Sequence, residues 1–384
     1  MDHEAVTADW TVDCAGAGDF LTITEAIAAA QSGETIDVRS CTYIENVDFI
    51  GKSLTLRARG AVEDTIIEAA GGSVITAVSG EGEGTAVIGF TLTGGSASAG
   101  SAVYLDFTSI RLEDDVISGN RGSTIVYGVS ADIELENVTF QDNNLRGGVV
   151  VYADRGGLTA DHTSFGCDNG SYGLYTSHGS AYVDNSTFAC PGVYATYWEH
   201  TVGRLKRSRV DGSVGISSEE DHYDDAMTIQ NSFVRGTISS NYGSIIITNS
   251  IVEGSVALTN TYTLSTIEGS VLTGSSCVIS GTLVVIDEDT GDTAAGVMAE
   301  PFVVRNNLFW GVPRSNCSGD EYVGQDGNLS ADPLFAAWAS DDWRLLSGSP
   351  GINAGPNDSG YEDIDGTLND IGVYGGHGSM DGGW

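Results

Sequence analysis

The stretches LEDDVISGN at 112–120 and LENVTFQDN at 135–143 are two copies of one weak phrase. It returns as ADHTSFGCD at 160–168, VDNSTFACP at 183–191, LKRSRVDGS at 205–213, IQNSFVRGT at 229–237 and ITNSIVEGS at 247–255. VIGFTLTGG at 87–95 is an early copy and VRNNLFWGV at 304–312 a late one. The sixth residue of each serves as an anchor: Leu92, Ile117, Phe140, Phe165, Phe188, Val210, Val234, Val252 and Phe309. Up to Val252 the spacings are 25, 23, 25, 23, 22, 24 and 18, and a degenerate copy is expected at Ile267. Self-similarity at this period, in segments of strand-forming composition, predicts a β-solenoid.

Each column of the repeat carries a physical meaning. Five before the anchor lie aliphatic residues such as Leu112, Leu135, Val183 and Ile229. Three before it lie Asp114, Asn137, His162, Asn185, Arg207, Asn231, Asn249 and Asn306. Asparagine tolerates the left-handed conformation, so this column predicts a tight bend. Ser186, Ser208, Ser232 and Ser250 follow the bend, and a glycine such as Gly94, Gly119, Gly212 or Gly311 marks a turn two after the anchor. A coil is therefore strand, bend, strand, turn and a further strand.

This pattern resembles the right-handed parallel β-helix of the pectin-lyase-like superfamily. FQDN at 140–143 followed by GGVVVY at 147–152 is similar to repeats of bacterial surface β-helix proteins. GDFLTITEAIAAAQSGETIDVRSCTYIENVDFIGKSLTLRARG at 18–60 resembles the N-terminal cap of secreted β-helix proteins, a pattern that pectinesterases share. DPLF at 332–335 and WRLLSGSPGINAG at 343–355 resemble their closing segment. The fold expected is an all-β right-handed parallel β-helix of about a dozen coils. Residues 1–32 would form an N-terminal cap with a short helix, 33–312 the β-helix, and 313–384 an irregular C-terminal cap. Thr22 and Glu25 are placed as a capping box before the helix.

Composition narrows the partners. Among 384 residues, 53 are acidic and 16 basic, a formal net charge of −37, and only Lys52 and Lys206 are lysine. That imbalance disfavours nucleic acid and anionic lipid, which need cations. No apolar run is long enough to span a membrane. Met1 to Trp10 contains no basic region followed by an apolar stretch. A signal peptide has therefore been removed or export takes another route, and a secreted or cell-surface monomer is expected.

The six cysteines form no CxxC pair and predict three disulfides of an oxidising compartment. Cys167 and Cys190 hold the same register in adjacent coils, about 4.8 Å apart, within reach of a disulfide. Cys14 and Cys41 flank the cap helix, which leaves Cys277 with Cys317.

Three constellations are candidate sites. Tyr104, Tyr127, Tyr152, Tyr175 and Tyr194 each follow an aliphatic residue on the strand before a bend. With the aliphatic partner inward, the rings line one outer face as a platform for sugar or merely shield the sheet surface; with the opposite parity they are core. Glu113, Glu136, Asp161 and Asp184 form a carboxylate column that ends at Lys206. Like charges about 5 Å apart repel, so either a bridging Ca²⁺ or solvent screening should relieve them. No other cofactor is implied. DEDTGD at 287–292 and DIDGTLND at 363–370 carry the alternating oxygens of calcium loops without the full spacing.

The third constellation is GRLKRSR at 203–209, set between TYWEH at 196–200 and SEEDHYDD at 218–225. It gathers Lys206, Arg207, Arg209, Glu199, His200 and His222, with Trp198 as a substrate-facing ring in a corner loop. β-Helix polysaccharide lyases resemble this in using Arg or Lys as the base and acidic residues to hold Ca²⁺. A carboxylate pair would instead support hydrolysis, and plain charge balancing needs no ligand at all. Extracellular binding of a polysaccharide or cell-surface glycan along the coils is thus expected, with lyase or hydrolase chemistry left open. The alternative is a non-catalytic surface, adhesion or structural protein.

Overall fold

The computed structural model describes residues 8–219, 225–261, 265–274, 277–283, 302–312, 314–316, 322–357 and 362–376. The chain divides into two compact units, one of 1–181 with 186–193 and one of 182–185 with 194–384. Both are right-handed parallel β-helices: the repeat predicts the solenoid, and the resemblance implies its parallel, right-handed form.

In the first unit the anchors stack as the sequence demands. Leu92, Ile117, Phe140, Phe165 and Phe188 are Cα partners in successive coils, and all are buried. The three phenylalanines stack, with ring centroids 5.5 and 4.4 Å apart. Every bend residue of the column has positive φ: Asp114 at 54°, Asn137 at 54° and His162 at 50°. The strain repeats because each bend amide is used. Asp114 N donates to Glu136 O at 3.0 Å, and Asn137 N to Asp161 O at 2.9 Å. Buried asparagines tie the turns together: Gly95 N donates to Asn120 Oδ1 and Asn120 N to Asn143 Oδ1.

The cap helix α1 spans Ile23–Ala29, and the Thr22 side chain accepts from Glu25 N at 3.2 Å. Glu45 accepts from the Ile23 and Thr24 amides at its start, and Lys52 Nζ donates to the Ile27 and Ala28 carbonyls at its end. Parallel pairing begins ahead of the helix, where Trp10–Val12 pairs with Ile36–Val38.

In the second unit Val210, Val234, Val252, Leu272 and Phe309 form the inward column. The degenerate copy is real but shifted. Ile267 stands in the aliphatic column between Ile247 and Val304, and Leu272 is its anchor. A hydroxyl ladder runs behind the bends: Ser208 N donates to Ser232 Oγ, Ser232 N to Ser250 Oγ and Ser250 N to Ser270 Oγ, each at 3.1–3.2 Å. Pairing continues past 312, since Leu308 and Phe309 pair with Leu329 and Ser330.

The C-terminal segment works as a lateral strap. Phe233, Ile251, Val271 and Leu308 each precede an anchor and so point outward, yet all are buried. Trp343, Ile371 and Val373 pack on them. Trp343 stacks on Phe233 at 4.3 Å. Asn231 Nδ2 donates to Gly375 O at 2.7 Å and Asn249 Nδ2 to the same carbonyl at 2.8 Å. Two bend asparagines thereby fasten the segment.

Candidate functional site

The third strand of each coil in the first unit alternates inward and outward. Val103, Val126, Val151 and Leu174 are fully buried. Tyr104, Tyr127, Tyr152 and Tyr175 are half-buried on the outer face and in register. Their centroids lie 5.5, 5.2 and 5.4 Å apart, with interplanar angles of 12°, 7° and 26°. Ring faces therefore meet ring faces along the stack, and edges and hydroxyls are left to meet solvent. Four of the five expected rings thus line one outer face, and their stacking turns edges rather than faces to solvent. The fifth tyrosine, Tyr194, lies in the second unit and makes an edge contact with Tyr197.

The strand ends beside this stack carry further charged groups. Asp106 and Asp154 lie in one register column two residues beyond the tyrosines. Burial, then Tyr104, Asp154 and Asp106, push the Tyr127 hydroxyl pKa up. Arg155 pairs with Asp154 at 2.9 Å, and His178 Nδ1 lies 3.7 Å from the same carboxylate. Phe107, Ser130, Arg155 and His178 occupy a second bend column with φ of 49–53°. Its signal in the sequence was the constant offset of three residues from each tyrosine.

The carboxylate column forms in register through Glu113, Glu136 and Asp161. Cations lie against it. Arg111 bonds Glu113 and lies 3.9 Å from Glu136, and His162 Nδ1 is 3.2 Å from Asp161. Asp184, in the second unit, pairs with Arg207 at 2.5 Å. Among the described residues no group of three or more His, Cys, Asp or Glu is arranged to hold a metal ion. The loop at 363–370 closes on itself. Asp363 accepts from the Asp370 and Gly376 amides, and Asp365 from Thr367 N and Oγ1.

The basic cluster is engaged in structure. Arg207 sits in the bend at φ 44°, and its Nε donates to Asn185 Oδ1 at 2.8 Å. Arg209 pairs with Asp211 and with Asp341 of the strap, and lies 5.7 Å over the Phe233 ring. Burial alone would lower the Arg209 guanidinium pKa, but hydrogen bonds to Asp341 and Asp211 raise it. Lys206 moves the other way. Burial lowers its pKa, and so do Arg207 and Arg204. Arg204 lies 6.0 Å over the exposed Tyr182 ring.

Trp198 requires a correction. The strand runs unbroken over Thr187–Glu199, and Trp198 is wholly buried, so it is a core side chain rather than a loop ring facing substrate. Glu199 ends that strand half-buried. His200 follows at φ 46°, with Nδ1 3.6 Å from Asp225. His222 lies outside the described residues.

Two of the expected disulfides are present, Cys14–Cys41 and Cys167–Cys190, with Cα atoms 6.4 and 4.9 Å apart. Cys277 with Cys317 falls outside the described side chains. Among the described residues no helix is long and apolar enough to cross a membrane.

No protein-family model matches the chain, and no curated protein matches it. Among solved structures it is similar to the pectate lyase Pel9A, with 13% identity and a TM-score of 0.45 over 97% of this chain and 98% of that one. It is also similar to the PL6 family alginate lyase AlyGC, at 14% and 0.45 over 85% of this chain and 55% of that one. A carrot pectin methylesterase gives 11% and 0.30 over 86% and 90%. The parallel β-helix itself is carried by the chain's own register.

Proposed function

We propose that the protein is an extracellular glycan-binding β-helix whose ligand is a neutral polysaccharide lying along Tyr104, Tyr127, Tyr152 and Tyr175. The observation that carries this reading is the in-register stack of half-exposed rings. A hydroxyl repeated once per coil offers a repeating polymer a repeating donor and acceptor, with apolar ring edge between. Stacking fixes the rings in advance and so limits the ordering cost of binding.

Charge selects the polymer class. With a net charge of −37 and Asp106 beside the stack, a polyuronate is disfavoured there, although Arg155 balances Asp154. The arginines that could have received it, Arg207 and Arg209, are committed to Asp184, Asp211 and Asp341. The two disulfides support an oxidising, extracellular compartment. Affinity electrophoresis through gels holding a neutral β-glucan, a neutral galactan or polygalacturonate tests the reading. Retardation by a neutral gel, abolished in Tyr127→Ala/Tyr152→Ala, is expected. Equal mobility of the two proteins in every gel contradicts it.

A second reading, β-elimination at Lys206, is supported by its placement: Lys206 ends the strand Val202–Lys206 half-buried, next to Arg207 and two residues from Arg204. Burial and then Arg207 lower its pKa while Asp184 opposes them, which favours the free amine that a general base requires. An ultraviolet assay for unsaturated uronate, run on polygalacturonate and alginate, should then show activity that Lys206→Ala loses. A flat trace for the wild-type protein on both polymers removes this reading.

A further inference from the structure

The strap contains a pocket of its own, of about 420 Å³. Its floor is apolar: Trp343, Ile371 and Val373 are buried, and the half-buried Tyr374 joins them. Its wall is mixed: Asp365, Asp370, Thr367, Asn353 and Arg344. That combination, in a cavity within the ~300–1,000 Å³ of small-molecule sites, is the usual make-up of a binding pocket.

The polar lining residues are held in place by hydrogen bonds within the strap. Asp365 Oδ1 accepts from Thr367 N at 2.9 Å and Thr367 Oγ1 at 2.6 Å. Asp370 Oδ1 accepts from Asn353 N at 2.7 Å. Arg344 donates through Nε and Nη2 to Asp342, at 2.7 and 2.5 Å. The Arg344 charge is thereby balanced within the strap, and the two aspartates set the sign of the pocket. Burial, and then the neighbouring Asp365, raise the Asp370 pKa, while its bond to Asn353 opposes them. An anionic ligand is disfavoured. A simple ammonium only donates, so it could use the aspartate oxygens but not Arg344 Nη1, the guanidinium nitrogen that gives no bond to Asp342. A hydroxyl both donates and accepts and so can serve the aspartate oxygens and Arg344 together, while the apolar residues suit the C–H face of a sugar ring.

We infer that this pocket binds a single neutral pyranose residue, as a site separate from the tyrosine stack and independent of what that stack binds. Saturation-transfer difference NMR on the whole protein tests it, with the methyl glycosides of glucose, galactose and mannose as probes at millimolar concentration. Methyl glucuronide and glucosamine serve as charged comparators. At least one neutral glycoside should bind, and each charged comparator should bind more weakly. Asp370→Asn, which keeps an oxygen for Asn353 N, and Tyr374→Phe, which keeps the ring, should each weaken binding about tenfold, the value of one good hydrogen bond. Tyr127→Ala/Tyr152→Ala should leave it unchanged. Backbone amide shifts on titration of the wild-type protein should centre on Thr367, Asp370 and Tyr374, a readout that needs no variant to fold. Absence of binding by all three glycosides, tighter binding of glucosamine or glucuronide, or unchanged binding in both pocket variants would each overturn the inference. So would loss of binding in the tyrosine variant.

Discussion

The two units share the bend and the anchor column but not the turn after it. Val116–Ser118 and Thr124–Val129 are separate strands in the first, whereas Phe233–Asn241 and Ile251–Thr261 run unbroken through the glycine in the second. The outward positions are also spent differently. In the first, the outward residue before each anchor is Val116, Thr139, Ser164 or Thr187, and none of these is fully buried. In the second, the half-buried Arg209 opens the same column and Phe233, Ile251, Val271 and Leu308 follow, and the strap covers these four. The inward column is apolar in both. Stability of a coil is therefore set inside, while what a coil does is set by the face it leaves outward. The first unit leaves a row of tyrosine edges in solvent, and the second uses its flank to hold a segment that carries a pocket.

The largest effect expected is on the strap. Trp343→Ala removes the ring stacked on Phe233 and should cost about 3–5 kcal/mol in the second unit. Hydrogen exchange should show protection lost over the strands that carry Phe233, Ile251 and Val271. The strands that carry Tyr127 and Tyr152 should keep theirs. Equal losses in both would erase the contrast between the units.

Next comes the disulfide between adjacent coils of the first unit. Cys167→Ser/Cys190→Ser should cost about 2–4 kcal/mol by denaturant unfolding, with the strap's exchange unaltered. A negligible loss would mean that coil stacking alone holds these turns.

A smaller effect concerns Asp115. Phe90 N donates to its Oδ1 at 2.7 Å, whereas Oδ2 is buried without a hydrogen-bond partner. Burial raises its pKa well above the ordinary carboxylate value. The folded state thus keeps a proton that the unfolded chain releases, so this group's contribution falls as pH rises from about 4 toward the folded-state pKa. Asp115→Asn should be more stable than wild type by about 1 kcal/mol at neutral pH, and the advantage should vanish below about pH 4. A pH-independent difference would show that the aspartate is ionised and otherwise satisfied.

The bends were legible because their geometry is chemical. Only a short polar side chain or glycine readily takes φ near 50°, so Asn137, Asn185, Asn231, Asn249 and Asn306 announced themselves. Cys167 and Cys190 followed from register. The strap did not, because its contacts join residues more than a hundred positions apart. The trace it left was a second apolar residue beside the anchor in SFV, SIV and SVL. Trp198 misled because TYWEH alternates within a long strand, where Tyr197 and Trp198 take opposite faces. Sequence placed the tyrosines in a row, but ring orientation depends on side-chain torsions that the spacing does not encode. The arginines of 203–209 read as a site because their carboxylate partners Asp184 and Asp341 lie far away in sequence.

The most direct test of the tyrosine row is to watch its rings. With ring-labelled tyrosine and phenylalanine, titration of a neutral glycan that retards the protein should shift the ring signals of Tyr104, Tyr127, Tyr152 and Tyr175. Those of the buried Phe140, Phe165 and Phe188 should stay fixed. Unmoved tyrosine signals at saturating glycan would contradict the account, as would shifts that appear only with polygalacturonate.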